Sequence, residues 1–173
     1  MIIGQAVCLG PLLVGDGPLL FSWRNTIVNA RLNGPYRPIG QGEFDAWFNP
    51  SGDPSRVVFA LRARADMRLL GFLQLIRIDA NARSAELGVM IGEPAERNKG
   101  LGQEAVALAL DYAWRELNLQ RVALYVHGDN PAAIRAYTKA GFELEGAMRR
   151  ASYVDGQYRD ITVMGCLRPD GPI

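Results

Sequence analysis

Three groups of residues in this 173-residue chain have the types and spacing to do chemistry. The first is Arg97-Asn98-Lys99-Gly100-Leu101-Gly102, a basic, glycine-bearing run that opens a long amphipathic segment. Glycines at a helix start leave main-chain N–H groups uncovered, and a helix N-terminus carries a partial positive charge. Together these suit a phosphate or diphosphate. The second group is Asn130 and Tyr137. Seven residues at about 100° each bring them within about 20° of two full turns, so both point to one side of a helix. The third is Glu86, which shares a strand face with Gly88 and Met90.

The glycine run alone leaves its ligand open. Gly100-Leu101-Gly102-Gln103-Glu104-Ala105 fits a loose dinucleotide pattern, but eight residues including Pro94 separate it from Ile91. The acidic residue expected about 20 positions on is replaced by Gln120 and Arg121. A phosphate loop of the Gly-Lys-Ser/Thr type is excluded because Lys99 precedes the glycines. An ordinary glycine-rich turn opening a helix is the remaining alternative.

The elements that position these groups follow from periodicity. Ala6 to Val14 reads as a first strand, and Asp16 as the cap of a helix with Leu20, Trp23, Ile27 and Ala30 at helical spacing. A short helix over about 42–48 stops before Pro50. Residues 55–63, 69–79 and 84–91 read as an antiparallel meander. Residues 100–117 form the clearest helix, with Val106, Leu110, Ala113, Trp114 and Leu117 along one stripe. A strand at 121–126 leads to Asn130-Pro131, a cap followed by proline at the first helical position, and Gly141 ends that helix. Residues 142–148 and 158–167 form a closing hairpin with Asp155-Gly156 in its connection.

Composition narrows the class. Lys plus Arg is 19 and Asp plus Glu 18, with no basic block, so no nucleic-acid partner is indicated. Cys8 and Cys166 each sit in an apolar strand-like run and read as inert buried thiols. With one histidine and no paired cysteines, no metal site is expected. No Lys or Arg precedes Arg24, unlike a secretory signal, and no apolar run is long enough for a bilayer span. The expectation is a cytoplasmic protein with no membrane partner.

In company, the motifs are more specific. Arg97 to Gly102 matches Arg/Gln-x-x-Gly-x-Gly/Ala, and Asn130 to Phe142 matches Asn-x-x-Ala-x-x-x-Tyr-x-x-x-Gly-Phe. The chain thereby resembles the GCN5-related N-acetyltransferase (GNAT) superfamily. Glu145-Gly146, Arg149, Asp155-Gly156, Tyr158, Asp160 and Met164 resemble the C-terminal pattern of its RimJ/RimL-type branch, which includes spermidine acetyltransferases. The resemblance covers 84–167 well and the rest by element order. It implies an α/β fold: one GNAT domain over 1–173, with a mixed, mostly antiparallel seven-stranded sheet flanked by about four helices.

The resemblance further implies acetyl transfer from acetyl-CoA, a co-substrate, to a primary amine by direct attack. A homodimer is a family expectation. The N–H groups of Arg97, Asn98, Lys99, Gly100, Leu101 and Gly102 would hold the diphosphate, with the Arg97 and Lys99 side chains nearby. Val89, Met90 and Ile91 would pair with the pantetheine arm, Asn130 would touch it, and Tyr137 would protonate the leaving thiolate. Glu86 is the candidate base, with a water chain as the alternative. Trp23, Tyr36, Arg149 and Tyr153 are candidate acceptor-lining residues, with Trp47 and Tyr158 beside them. A protein N-terminus, an amino sugar and a small-molecule amine all remain open as acceptors. Asp16, Glu43 and Asp45 are sparse carboxylates for a polyamine. A CoA-binding module without turnover is the competing reading.

Overall fold

The structure is a computed structural model that describes residues 1–49 and 52–170. Among them one sheet of eight strands runs through the molecule in the order β1-β2-β3-β4-β5-β6-β8-β7. The strands are β1 (Ile2–Ile3), β2 (Val7–Gly10), β3 (Val57–Ala63), β4 (Leu69–Asp79), β5 (Ser84–Ile91), β6 (Arg121–His127), β7 (Glu143–Val154) and β8 (Gln157–Leu167). All neighbours are antiparallel except β5 and β6. The helices are α1 (Gly17–Asn25), α2 (Ile27–Ala30), α3 (Gln41–Phe48), α4 (Leu101–Arg115) and α5 (Pro131–Lys139).

The parallel pair decides the shape of the centre. β5 matches β4 from Ser84 to Ile91, but it meets β6 only at Ser84, Ala85 and Glu86. Beyond Glu86 the two strands part, and the edge of β5 from Leu87 to Ile91 faces a gap.

Period-two alternation sorts side chains onto the two faces. Leu73, Leu75, Ala85 and Leu87 join the main core, which α4 closes with Ala105, Val106, Ala109, Leu110, Ala113 and Trp114. Ile134 and Tyr137 of α5 pack on the same core. Phe72 and Met90 point the other way, into a smaller core with Leu20, Trp23, Ile39 and Phe44. The helices over that face are α1 and α3. Each fully buried Leu or Phe contributes about 1.5–3 kcal/mol, so both layers are firmly held.

The expected element order is found, with differences at the N-terminal end. The sheet has eight strands rather than seven because Ile2–Ile3 adds a short edge. The first main strand ends at Gly10 instead of Val14, since Pro11 has no N–H to continue a ladder. The first helix breaks at Thr26, whose backbone is extended (φ −84°, ψ 117°) and whose hydroxyl donates to Ser22 O at 2.8 Å. Five helices therefore replace the expected four or so.

Asp16 stands at the N-cap position of α1, as expected, but its side chain makes no capping hydrogen bond there. Its carboxylate accepts from the Leu13 N–H at 2.7 Å and pairs with Arg62 Nη2 at 2.5 Å, both side chains being buried. β7 runs on to Val154 as a long, exposed ribbon. Its turn has positive φ at both Asp155 and Gly156, the mirror-type geometry that suits a twisted hairpin. Both cysteines are buried and unbridged, as expected of inert thiols.

Candidate active site

The glycine run forms a cradle at the start of α4. Asn98 (φ 61°) and Gly100 (φ 82°) are both left-handed, which turns successive N–H groups toward one side. The first hydrogen bond of the helix runs from Glu104 N–H to Gly100 O at 3.0 Å. The N–H groups of Leu101, Gly102 and Gln103 precede it and have no acceptor among the described residues. A Cβ built on Gly102 would meet only Ile91 Cδ1, at 3.9 Å. The space over the cradle is therefore open.

Glu104 fixes this helix end to the rest of the fold. Its carboxylate accepts from the N–H groups of Gln5 and Ala6, the latter at 3.0 Å, at the turn between β1 and β2. An acidic side chain in the first turn also complements the helix dipole.

The cradle opens into a cavity of about 570 Å³ that continues along the gap between β5 and β6. Val89, Met90, Ile91, Arg97, Asn98, Gly100, Gly102, Asn130 and Tyr137 all line it. Lys99 and Leu101 do not. Lys99 Nζ turns to Glu96 at 3.2 Å, and Leu101 packs on the main core.

Arg97 departs from expectation in what its side chain does. Its guanidinium donates to Ile91 O and Gly92 O, both at 3.1 Å, and to Asn29 Oδ1. Burial lowers its pKa from the ordinary arginine value. It is a brace between the cradle and the end of β5, not an arm reaching for phosphate. Asn29 completes the brace by donating to Trp23 O and Gly92 O, both at 3.2 Å. Gly92 is required here, because a Cβ would fall 2.0 Å from the Trp23 ring.

Tyr137 stands two turns into α5, edge-on to Phe142 at 6.0 Å between ring centroids. Among the described residues nothing bonds its hydroxyl. Burial pushes the phenol up to about 12, so it keeps its proton at neutral pH. Asn130 caps the helix, its Oδ1 accepting from Ala133 N–H at 3.1 Å. The same residue lines the cavity.

A second cavity, of about 330 Å³, lies on the α1–α3 side of the sheet. Gly88, Val89 and Met90 form its floor, and Val89, Met90 and Asn33 line both cavities. The two spaces thus meet at the free edge of β5. Glu86 lies on the Gly88 face but lines neither cavity. Its carboxylate bonds Arg77 Nη1 at 2.6 Å, and that bond raises the Arg77 pKa.

None of the four expected acceptor residues reaches this second cavity. Trp23 is 8% exposed and belongs to the smaller core. Tyr36 is partly exposed between two residues that do line the cavity. Arg149 and Tyr153 lie on the outer hairpin, where the Tyr153 ring meets that of Tyr158 tilted at 59°, with centroids 5.0 Å apart. Arg24, Arg37, Glu43 and Gln74 take their places in the wall. Trp47 sits just behind, its Nε1 donating to Gln74 Oε1 at 3.2 Å. His127 ends β6. Burial, then Arg159, lowers its pKa, so it is neutral at pH 7.

Residues 7–143 match the family model described as Acetyltransferase (GNAT) domain. The chain belongs to the GNAT acetyltransferase family. Among curated members it is 35% identical over 104 residues to a spermidine N(1)-acetyltransferase of Vibrio cholerae, covering 60% of each chain. It is 38% identical over 90 residues to the Escherichia coli K12 protein of the same name, covering 52% of this chain and 48% of that one. The chain therefore matches half to three-fifths of those relatives' lengths. In three dimensions it is similar to the crystal structure of the V. cholerae spermidine N-acetyltransferase in complex with CoA and spermine. That likeness has a TM-score of 0.85 at 26% identity and covers 95% of this chain and 96% of the other. An α/β GNAT fold is the common frame.

Proposed function

We propose that this chain transfers the acetyl group of acetyl-CoA to a primary amine. The observation that carries the reading is one cavity holding three features: the bare amides of the α4 cradle, the free edge of β5 and the unpartnered phenol of Tyr137. The amides from Asn98 to Gln103 suit a diphosphate. The outward groups of Val89 to Ile91 suit an extended amide-bearing arm, which would pair as an added strand. The relative whose structure holds CoA supports the same reading.

In this scheme bound acetyl-CoA supplies an activated acyl thioester. A main-chain N–H of β5 polarises its carbonyl as charge develops on oxygen. Tyr137, protonated at neutral pH, donates its proton to the departing sulfur. The acceptor enters from the α1–α3 side, where Gly88 leaves the strand uncovered, and its ammonium must first lose a proton. Glu86 receives that proton through water, being the carboxylate on the Gly88 face. Its partner Arg77 is 73% exposed, and a pair with one partner so exposed opens readily.

The placement in the RimJ/RimL-type branch is also our proposal, supported by the C-terminal residue pattern from Glu145 to Met164. A polyamine acceptor is the second reading, favoured by the names of the relatives. The test is acceptor-dependent thiol release from acetyl-CoA across a panel of amines, with acetyl-CoA binding measured separately. Turnover with any primary amine supports transfer. Tight CoA binding with no acceptor-dependent thiol would leave a binding module.

A further inference from the structure

The cavity on the α1–α3 side has three ionisable side chains in its wall: Arg24, Arg37 and Glu43. Arg37 and Glu43 bond each other, which leaves Arg24 as the uncompensated charge. Its guanidinium carbon lies 4.3 Å from the centroid of the Trp47 ring. Among the described residues no hydrogen bond or ion pair engages it. Arg56 shares the same indole at 5.6 Å and donates to Trp47 O at 2.8 Å. Burial first, then Arg56, lowers the Arg24 pKa from the ordinary arginine value, while Glu43 opposes the shift. A guanidinium nevertheless stays protonated in proteins. This is a half-buried cation on an aromatic platform, facing a cavity and bonded to no anion among the described residues.

We infer that the acceptor amine carries an anionic group, a carboxylate or a phosphate, which Arg24 receives from its seat on Trp47. The inference rests on the acetyl-transfer reading and specifies its acceptor. A planar guanidinium fork matches either anion with paired hydrogen bonds, and stacking on the indole holds it in place before the ligand arrives. A polycation would bring further ammonium groups toward a charge that is already positive. The named substrate of the relatives is therefore a poor match to this wall.

Matched acceptors test the inference: β-alanine against its amide, phosphoethanolamine against ethanolamine, and spermidine as the polycation. Each is measured by thiol release with acetyl-CoA and by calorimetric binding without it. The charged member of at least one pair should be favoured about tenfold or more. Which pair shows it tells carboxylate from phosphate. Arg24→Met keeps an aliphatic stem on Trp47 and should erase that preference through KM, leaving kcat within about twofold. Arg24→Lys should restore part of it. Equal affinity within both pairs would overturn the inference, as would spermidine binding best with Arg24→Met unaffected. Failure to bind acetyl-CoA would overturn the transfer reading instead, and the cofactor-free calorimetry would still decide the role of Arg24.

Discussion

The two cavities that meet at Val89 and Met90 are built from different materials. The larger is walled mainly by main chain: the N-terminal amides of α4 and the unpaired edge of β5. The smaller is walled by side chains from three separate segments, with Arg24 from α1, Arg37 and Glu43 around α3, and Gln74 from β4. A main-chain site fixes a ligand class through backbone geometry and tolerates varied side chains around it. A side-chain site can change its ligand with one or two substitutions while the fold stays the same. The contrast shows how one fold can be kept while the ligand of the smaller cavity changes.

The largest effect expected on this contrast is from Asp16→Ala. It would leave Arg62 buried without its partner beneath the first helix, costing about 3–5 kcal/mol. Chemical denaturation should show that loss, and an unchanged midpoint would mean the pair does not anchor the acceptor side. Gly102→Glu comes next. The protein has room for the side chain, so the melting temperature should hold. Acetyl-CoA affinity should nevertheless fall on the order of 100-fold or more, because a carboxylate would stand in the diphosphate seat. Retained affinity by calorimetry would move the seat elsewhere.

Tyr137→Phe should lower kcat about 100-fold with little change in acetyl-CoA binding. Equal turnover, with chemistry shown to limit the rate, would remove the phenol from the mechanism. The pH profile sharpens the same point. The rate should rise with pH as the acceptor ammonium deprotonates, with no fall from the phenol until about pH 12. A descending limb near pH 8 that vanishes in Tyr137→Phe would contradict this. The raised phenol also favours the fold in its protonated form. That contribution is complete below pH 10, the ordinary tyrosine value, and fades as pH passes through 12. Gly100→Ala has the smallest expected effect, about 1–2 kcal/mol from its left-handed backbone.

The same division governs what could be read from the chain before folding. The cradle was legible because Gly100 and Gly102 mark backbone needs at fixed positions, and Asn130-Pro131 with Tyr137 obeys helical spacing. β4 and β5 were placed at their observed bounds from apolar content and turn residues. The acceptor wall was not legible. Trp23 and Arg24 are sequence neighbours, but one turns into the core and the other toward the cavity, a difference that residue type alone does not give. The Arg97 side chain, expected only near the diphosphate, is a brace because its three acceptors, Asn29, Gly92 and Ile91, come from packing that no local pattern records. Asn29 had one available signal, an amide on a short helix between Val28 and Ala30. Asp16 holds the expected N-cap position, but its side chain serves Arg62, 46 residues away, a pairing that no local pattern records.

A crystal structure of the protein with CoA tests the central claim most directly. The account predicts diphosphate oxygens at about 3 Å from the N–H groups between Asn98 and Gln103, with the sulfur beside the Tyr137 hydroxyl. A diphosphate bound away from the α4 cradle, or a sulfur out of reach of Tyr137, would contradict it.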